Sequence, residues 1–351
     1  MTRAKIKQLL LTSHKRQLRF WLPFLSCSLI SLPTLAAEEV ESLSTPLQLN
    51  LKETTVSGLS SGGFMANQMH VAYSDWIQGA AIIAAGPLYC ARNSLTTALS
   101  DCIGSPKKAI DLADLGTTIK RWEKEKKIQP LANLKNDRVW ILGGTKDQKV
   151  SQKIVKSLYN QYQQWLPEAQ IHYEYDKPFA HHFPTLNEGV SCDTSESPFI
   201  GNCGFDTAGS LLSHLYGNLK APTVAQKSRI KRIETKTLPD ELGDSIGAYA
   251  YAYVPSQCES GAMCRLHIAF HGCNQNDTAV SLQFVEKTGY NRWAENNDLV
   301  VLYPQTKNSN MMPFNPQGCW DWWGYTDENY ATQDGKQLKA INALVQKMTG
   351  K

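Results

Sequence analysis

Four short motifs constrain this chain, and their order constrains it more than any one of them alone. Gly58-Leu59-Ser60-Ser61-Gly62 comes first, Asp147 follows an apolar run, and His181 stands before Phe183-Pro184. Only after all three does His271-Gly272-Cys273 appear. A serine hydroxyl is a weak nucleophile near neutral pH and needs a base, which in turn needs a carboxylate to orient it. The first three motifs supply those groups in the order serine, acid, histidine. The fourth has the look of an oxyanion loop, which ordinarily precedes the nucleophile when the serine sits on a strand-to-helix turn.

Apolar or alternating runs bounded by turn residues mark strands at 54–56, 80–85, 139–142 and 171–175 in the first half. In the second half an alternating pair at 230–237 and 246–254 suits an antiparallel hairpin, followed by strands at 266–270 and 299–303. Helical patterns fall between them at 61–73, 112–126, 150–165, 207–216, 280–296 and 334–348. This alternation argues for a mostly parallel sheet with helices on both faces. In an α/β-hydrolase the hairpin opens the sheet and the oxyanion strand follows it. Here hairpin and oxyanion strand lie behind the histidine loop, so the fold class expected is a circularly permuted α/β-hydrolase. Such a permutation is physically acceptable because domain termini often lie close together.

Residues 1–37 carry six bases and no acid, an apolar run over 20–32, and small residues at Thr34-Leu35-Ala36-Ala37. That pattern reads as a cleaved signal peptide. The apolar run, interrupted by Pro23, is too short for the ~20 residues that span a bilayer, so no membrane anchor is expected. Without this segment 30 bases face 32 acids, a net charge of −2 in place of +4. The basicity belongs to the leader, and no basic face is left to argue for nucleic acid. Residues 38–351 contain no Thr-, Pro- or Ser-rich linker and no repeat, so one catalytic domain is expected there. Eight of the nine cysteines fall in that part, an even number that suits disulfides in an exported chain, secreted or periplasmic. Sequence neighbours would pair as 90–102, 192–203 and 258–264, leaving Cys273 with Cys319, although spacing alone does not fix connectivity. No CxxC pair exists and the histidines do not cluster with cysteine, so no metal site is expected.

Gly58 and Gly62 allow the crowded turn that lifts the Ser60 hydroxyl above the sheet edge at a helix N-terminus. A glycine-rich turn alone would be weak evidence, but this one follows a β-branched strand and precedes a helical pattern. Asp147 lies just past the second strand beyond the nucleophile strand, where the fold places its acid; an ordinary solvated turn aspartate is the bland alternative. His181 and His182 both follow the next strand, and spacing does not separate them. The Cys273 amide is positioned to join that of Ser61 in receiving an oxyanion. A cysteine nucleophile at 273 is the weaker reading, because a thiol held in a disulfide cannot attack. The run Gly318-Cys319-Trp320-Asp321-Trp322-Trp323-Gly324-Tyr325 is dense in aromatics; core is the usual fate of tryptophan, but at least one indole is expected to line a cleft.

Five segments together resemble the polyhydroxyalkanoate depolymerases, specifically poly(3-hydroxybutyrate) depolymerases with a circularly permuted catalytic domain. They are residues 58–66, Gly144-Thr145-Lys146-Asp147, Ala180-His181-His182-Phe183-Pro184-Thr185, Phe270-His271-Gly272-Cys273-Asn274-Gln275 and residues 315–325, and the likeness runs from about residue 50 to the end. The resemblance implies His181 as the base, an oxyanion hole from the Ser61 and Cys273 amides, and a substrate role for Trp320. It implies a serine esterase acting on poly(3-hydroxybutyrate) or its oligomers through an acyl-enzyme on Ser60, with no cofactor. A feruloyl or acetyl-xylan esterase on the same scaffold, or a binding protein that kept the fold, are the competing readings. Nothing in the sequence sets an oligomeric state.

Overall fold

Continuous apolar runs become inner strands of one sheet, because a strand covered on both faces has no side left for polar residues. The computed structural model describes residues 40–351; the expected signal peptide lies outside them. The first half supplies β1 (Thr54–Leu59), β2 (Ile77–Ile83), β3 (Arg138–Leu142) and β4 (Ile171–Glu174). Three short strands follow, β5 (Phe183–Thr185), β6 (Val190–Ser191) and β7 (Ile200–Asn202), which form a small sheet of their own in the order β5-β7-β6. The second half supplies β8 (Ile230–Glu234), β9 (Tyr249–Tyr253), β10 (Arg265–Phe270) and β11 (Leu299–Tyr303).

The large sheet has the order β4-β3-β2-β1-β10-β11-β9-β8. Strands β4 to β11 along this order are parallel, while β9 pairs antiparallel with both β11 and β8. β1, first in the chain, therefore sits at the centre, paired with β2 and with β10 from the far end of the sequence. Every residue of β1 is buried. Loops at the ends of β1 and β10 are thereby forced together, which places the first and fourth motifs side by side.

The helices are α1 (Ser61–Ala72), α2 (Leu95–Asp101), α3 (Leu112–Lys124), α4 (Gln152–Tyr162), α5 (Thr207–Tyr216), α6 (Ser256–Glu259), α7 (Asp277–Val280), α8 (Gln283–Lys287), α9 (Tyr290–Ala294) and α10 (Lys336–Met348). α1 is buried along its whole length, which is why it lacks a polar face. α3 shows the opposite pattern: Leu115, Ile119 and Trp122 form its one buried stripe, and the Asp111 carboxylate caps it by accepting from the amides of Ala113 and Asp114. The helix expected over 280–296 is broken into α7, α8 and α9. Ser281 at φ 53° and Gly289 at φ +92° turn the chain through the left-handed region, which interrupts a helix. The small β5-β7-β6 sheet was not foreseen, since strands this short carry no readable periodicity.

Disulfides join Cys90 to Cys102, Cys192 to Cys203, Cys258 to Cys264 and Cys273 to Cys319. They couple the sequence neighbours as expected and leave the last two cysteines to each other. Residues 40–351 form one compact unit, and no helix among the described residues is long and apolar enough to cross a membrane.

Candidate active site

β1 delivers Ser60 at its C-terminal end, and α1 begins one residue later. Ser60 has φ 56° and ψ −120°, a conformation that costs a non-glycine residue about 1–3 kcal/mol. The surroundings impose it. The Ser60 amide donates to the Ile83 carbonyl at 2.9 Å, and the Ser60 carbonyl accepts from the Phe64 amide at 3.0 Å. A Cβ at Gly58 would lie 2.0 Å from the Gly62 carbonyl oxygen, and one at Gly62 would lie 2.3 Å from the carbonyl oxygens of both Phe270 and His271. The two glycines thus let the turn close on itself and let the end of β10 lie against it.

Asp147 sits in the loop after β3. That loop is stitched to the segment before His181 by hydrogen bonds from Thr145 N to Lys177 O and from Lys146 N to Phe179 O. One Asp147 carboxylate oxygen accepts from the amides of Lys149 (2.7 Å) and Val150 (2.9 Å), and the other accepts from His181 Nδ1 at 2.7 Å. His181 Nε2 lies 2.9 Å from Ser60 Oγ. With the carboxylate accepting from Nδ1–H, Nε2 is left as the acceptor for the serine hydroxyl. The carboxylate is fully covered and the imidazole is 14 % exposed, so the array opens to solvent only at its serine end.

The adjacent histidines are separated by their partners. His182 is buried, donates from Nδ1 to the Thr194 carbonyl at 2.9 Å, and turns Nε2 toward Cys203 Sγ at 3.3 Å. Burial pushes its pKa below the ordinary histidine value. His182, Cys192 and Cys203 are arranged like metal ligands, but both sulfurs are joined in a disulfide. His181 itself is held from behind, since Ser195 Oγ donates to its carbonyl and Ala180 N donates to Cys192 O. Neither Thr194 nor Ser195 carried a signal in the sequence.

The loop after β10 is equally constrained. His271 is buried and donates from Nδ1 to the Gly272 carbonyl at 2.6 Å, while Nε2 accepts from the Thr306 amide at 3.2 Å. Desolvation pushes its pKa down to about 4, so it is a neutral strut. The Gly272 amide is taken by Gln275 Oε1 (2.7 Å) and the Asn274 amide by the Gln317 carbonyl. Between them, the Cys273 amide has no hydrogen-bond partner among the described residues, nor has the Ser61 amide at the first turn of α1. Two unpaired donors from β10 and α1 therefore flank the elbow.

Trp320 follows the Cys273–Cys319 bridge and lies beside the same elbow: its amide donates to Ser61 Oγ at 3.3 Å, and its ring packs on Phe270 and His271 with centroids 5.1 and 5.5 Å away. It is wholly buried, and its indole N–H has no partner among the described residues. Trp322 stacks on Phe64, while Trp323 is half-buried. Asp321, which sequence reading passed over, organises the loop. Its buried carboxylate accepts from the amides of Trp323, Gly324, Tyr325 and Thr326 and from the Thr326 hydroxyl. Burial raises its pKa, while these donors oppose the rise.

No family model matches the chain. It is 34% identical over 347 residues to a polyhydroxybutyrate depolymerase of Talaromyces funiculosus, an alignment covering 93% of this chain and 98% of that protein. It is 40% identical over 306 residues to a poly(3-hydroxybutyrate) depolymerase of Delftia acidovorans, covering 86% of this chain but only 61% of that protein's length. Among solved structures, the PHB depolymerase from Penicillium funiculosum superposes with a TM-score of 0.79 at 31% identity, covering 87% of this chain and 98% of that one. A PHB depolymerase with a serine replaced by alanine, complexed with an R3HB trimer, gives 0.80 at the same identity and coverage. With an eight-stranded, mostly parallel sheet and near-complete coverage of such a relative, the chain belongs to the polyhydroxybutyrate depolymerases, a family of carboxylic ester hydrolases.

Proposed function

We propose that this chain is an exported serine esterase that hydrolyses poly(3-hydroxybutyrate) or its oligomers, with Ser60 as nucleophile, His181 as base and Asp147 as the residue that orients the base. The observation that carries this reading is the unbroken hydrogen-bond line from the Asp147 carboxylate through His181 to Ser60 Oγ. His181 Nε2 takes the hydroxyl proton as Ser60 Oγ attacks an ester carbonyl. The carbonyl oxygen becomes an oxyanion received by the Ser61 and Cys273 amides. The alcohol end leaves with the proton from His181, and water, activated by the same imidazole, releases the acid from Ser60. Trp320 serves the substrate side from behind the elbow, its buried ring packed on Phe270 and His271 and its amide on Ser61 Oγ, so that it shapes the cleft.

The oligoester bound to a solved relative supports the substrate class, and four disulfides support export. We read residues 38–351 as a single catalytic domain and the strand order as a circular permutation, because the antiparallel pair β8–β9 follows the nucleophile strand in the chain yet closes the far edge of the sheet. A fluorophosphonate probe should label the native chain at Ser60 and fail to label Ser60→Ala. The unlabelled chain should release hydroxy-acid products from an amorphous polyester film, and labelling of Ser60 should abolish that release. Failure to label, or turnover confined to soluble aromatic esters, would overturn the assignment.

A further inference from the structure

Away from Ser60, a cavity of about 840 Å³ lies between the segment 106–110, the first turns of α4 and the edge strand β4. Its walls carry Lys107, Lys108, Lys153 and Lys156 together with Tyr173 and Tyr175, and no acidic residue lines it. Among the described residues, Lys107, Lys108 and Lys153 have no ion-pair partner, and Lys156 rests its ammonium 4.1 Å over the Tyr159 ring. Lys153 and Lys156 stand three apart on one face of α4. Glu174, between the two tyrosines in sequence, is paired with His172 and Lys177. Four lysines therefore line one concavity on a chain that, from residue 38 onward, is slightly acidic.

The groove is not merely charged. Tyr173 stacks on Tyr159 with centroids 4.9 Å apart and meets Tyr175 at 5.3 Å, and Ile110 adds aliphatic surface. Its ligand should have an apolar body and an anionic end. The groove is also tied to the active-site loop: Gly104 N donates to Lys149 O, and Ser151 N donates to Gly104 O, so the wall at 104–110 is fastened to the segment that follows Asp147. Each ester cut frees one carboxylate and leaves it on a fragment whose remaining length is uncharged ester and methylene.

We propose that this groove binds the carboxylate end of hydroxy-acid oligomers, the fragments released at Ser60; the proposal rests on the esterase reading above. Lysine ammonium groups hold the terminal carboxylate while the tyrosine rings and Ile110 cover the ester backbone. A neutral ester of the same length lacks the charge and has no reason to prefer this groove to the cleft.

The test uses the full chain carrying Ser60→Ala, titrated by calorimetry with the 3-hydroxybutyrate trimer as free acid and as methyl ester. The acid should fill a second site in addition to the cleft, weakening with added salt. Lys153→Glu with Lys156→Glu, both exposed positions, should weaken that second site about tenfold and leave methyl ester binding unchanged. Equal stoichiometry for acid and ester, or second-site binding indifferent to the two substitutions, would overturn the proposal. Displacement of the acid by inorganic phosphate at equal concentration would overturn it too, by showing an unselective anion site. Hydrolysis of the trimer by the chain with Ser60 intact, measured alongside, reports on the esterase reading: retained hydrolysis with charge-blind binding removes the groove alone.

Discussion

β1 carries two serine–histidine pairs three residues apart, and only one is built to react. Ser60 Oγ lies 2.9 Å from His181 Nε2; Ser57 Oγ lies 2.7 Å from His267 Nε2. Both imidazoles accept from the serine through Nε2 and donate through Nδ1. In the sealed pair that donation passes to Thr55 Oγ1, then to the Tyr216 hydroxyl, and ends on the Leu266 carbonyl. In the open pair it ends on the Asp147 carboxylate. A carboxylate stabilises an imidazolium, whereas a chain of hydroxyls ending on a neutral carbonyl does not. Burial reinforces the difference, since desolvation alone pushes the His267 pKa down to about 3. Ser57 also lacks the strained elbow and the unpaired amides, and Tyr290 occupies the space an ester would need. Hydrogen-bond distance is shared by both pairs; exposure, charge and backbone strain distinguish them.

The largest effect should separate the pairs outright. Ser60→Ala and His181→Ala should each lower turnover of a soluble ester by about 10⁴-fold or more, with unfolding midpoints close to the parent. Asp147→Asn should cost roughly 10⁴-fold, because an amide can favour the wrong imidazole tautomer. Steady-state kinetics at matched protein stability decide this. Full activity in any of the three would mean that the open pair is no more reactive than the sealed one.

Much of this contrast could be read from residue order, and some of it could not. Gly58 and Gly62 announced the Ser60 elbow because only glycine tolerates backbone 2.0–2.3 Å from a Cβ position. Ser57 and His267 gave no signal, since a lone histidine in the run Arg265–Phe270 looks like a polar interruption of a strand. Which of His181 and His182 meets Ser60 was not decidable from spacing; it depends on the Thr194 carbonyl and the Cys192–Cys203 bridge, which come from a segment without periodicity. Aromatic density in the 319–325 loop suggested a cleft wall, yet Trp320 is covered, because packing on Phe270 and His271 is set by strands distant in sequence. Residues that belong to one element were legible, and so was the Cys273–Cys319 bridge once the nearer cysteines were paired. Polar residues that join elements were not.

A second, smaller effect concerns acid. His267, with a folded pKa of about 3 against ~6.5 for an unfolded histidine, is neutral in the fold and takes up a proton when the chain unfolds. Its contribution to stability is fully present above pH ~6.5 and declines as pH falls toward 3. His271, at about 4, acts in the same direction over a similar window. The free energy of unfolding should therefore drop between about pH 6 and 4 by an amount on the order of a few kcal/mol. His267→Gln, which keeps hydrogen-bonding capacity without the titration, should flatten that slope. An unchanged slope would mean that the sealed pair does not set the acid sensitivity, and its neutrality would then need another cause.

The smallest effect tests the sealed pair directly. Ser57→Ala removes the hydroxyl that donates to His267 Nε2 and accepts from Tyr290, leaving two buried polar atoms unpaired. Orphaned buried groups of this kind cost about 1–3 kcal/mol, so the unfolding free energy from denaturant titration should fall by that much. No reacting atom is touched, so kcat/KM should stay within about threefold below the unfolding transition. The two measurements must diverge for the comparison to stand. Were Ser57→Ala to abolish turnover while stability held, β1 would be transmitting position from the sealed pair to the open one, three residues along the same strand. Ser60 would then owe its reactivity to the polar network beneath it as well as to His181, and the boundary drawn between the two pairs would be wrong.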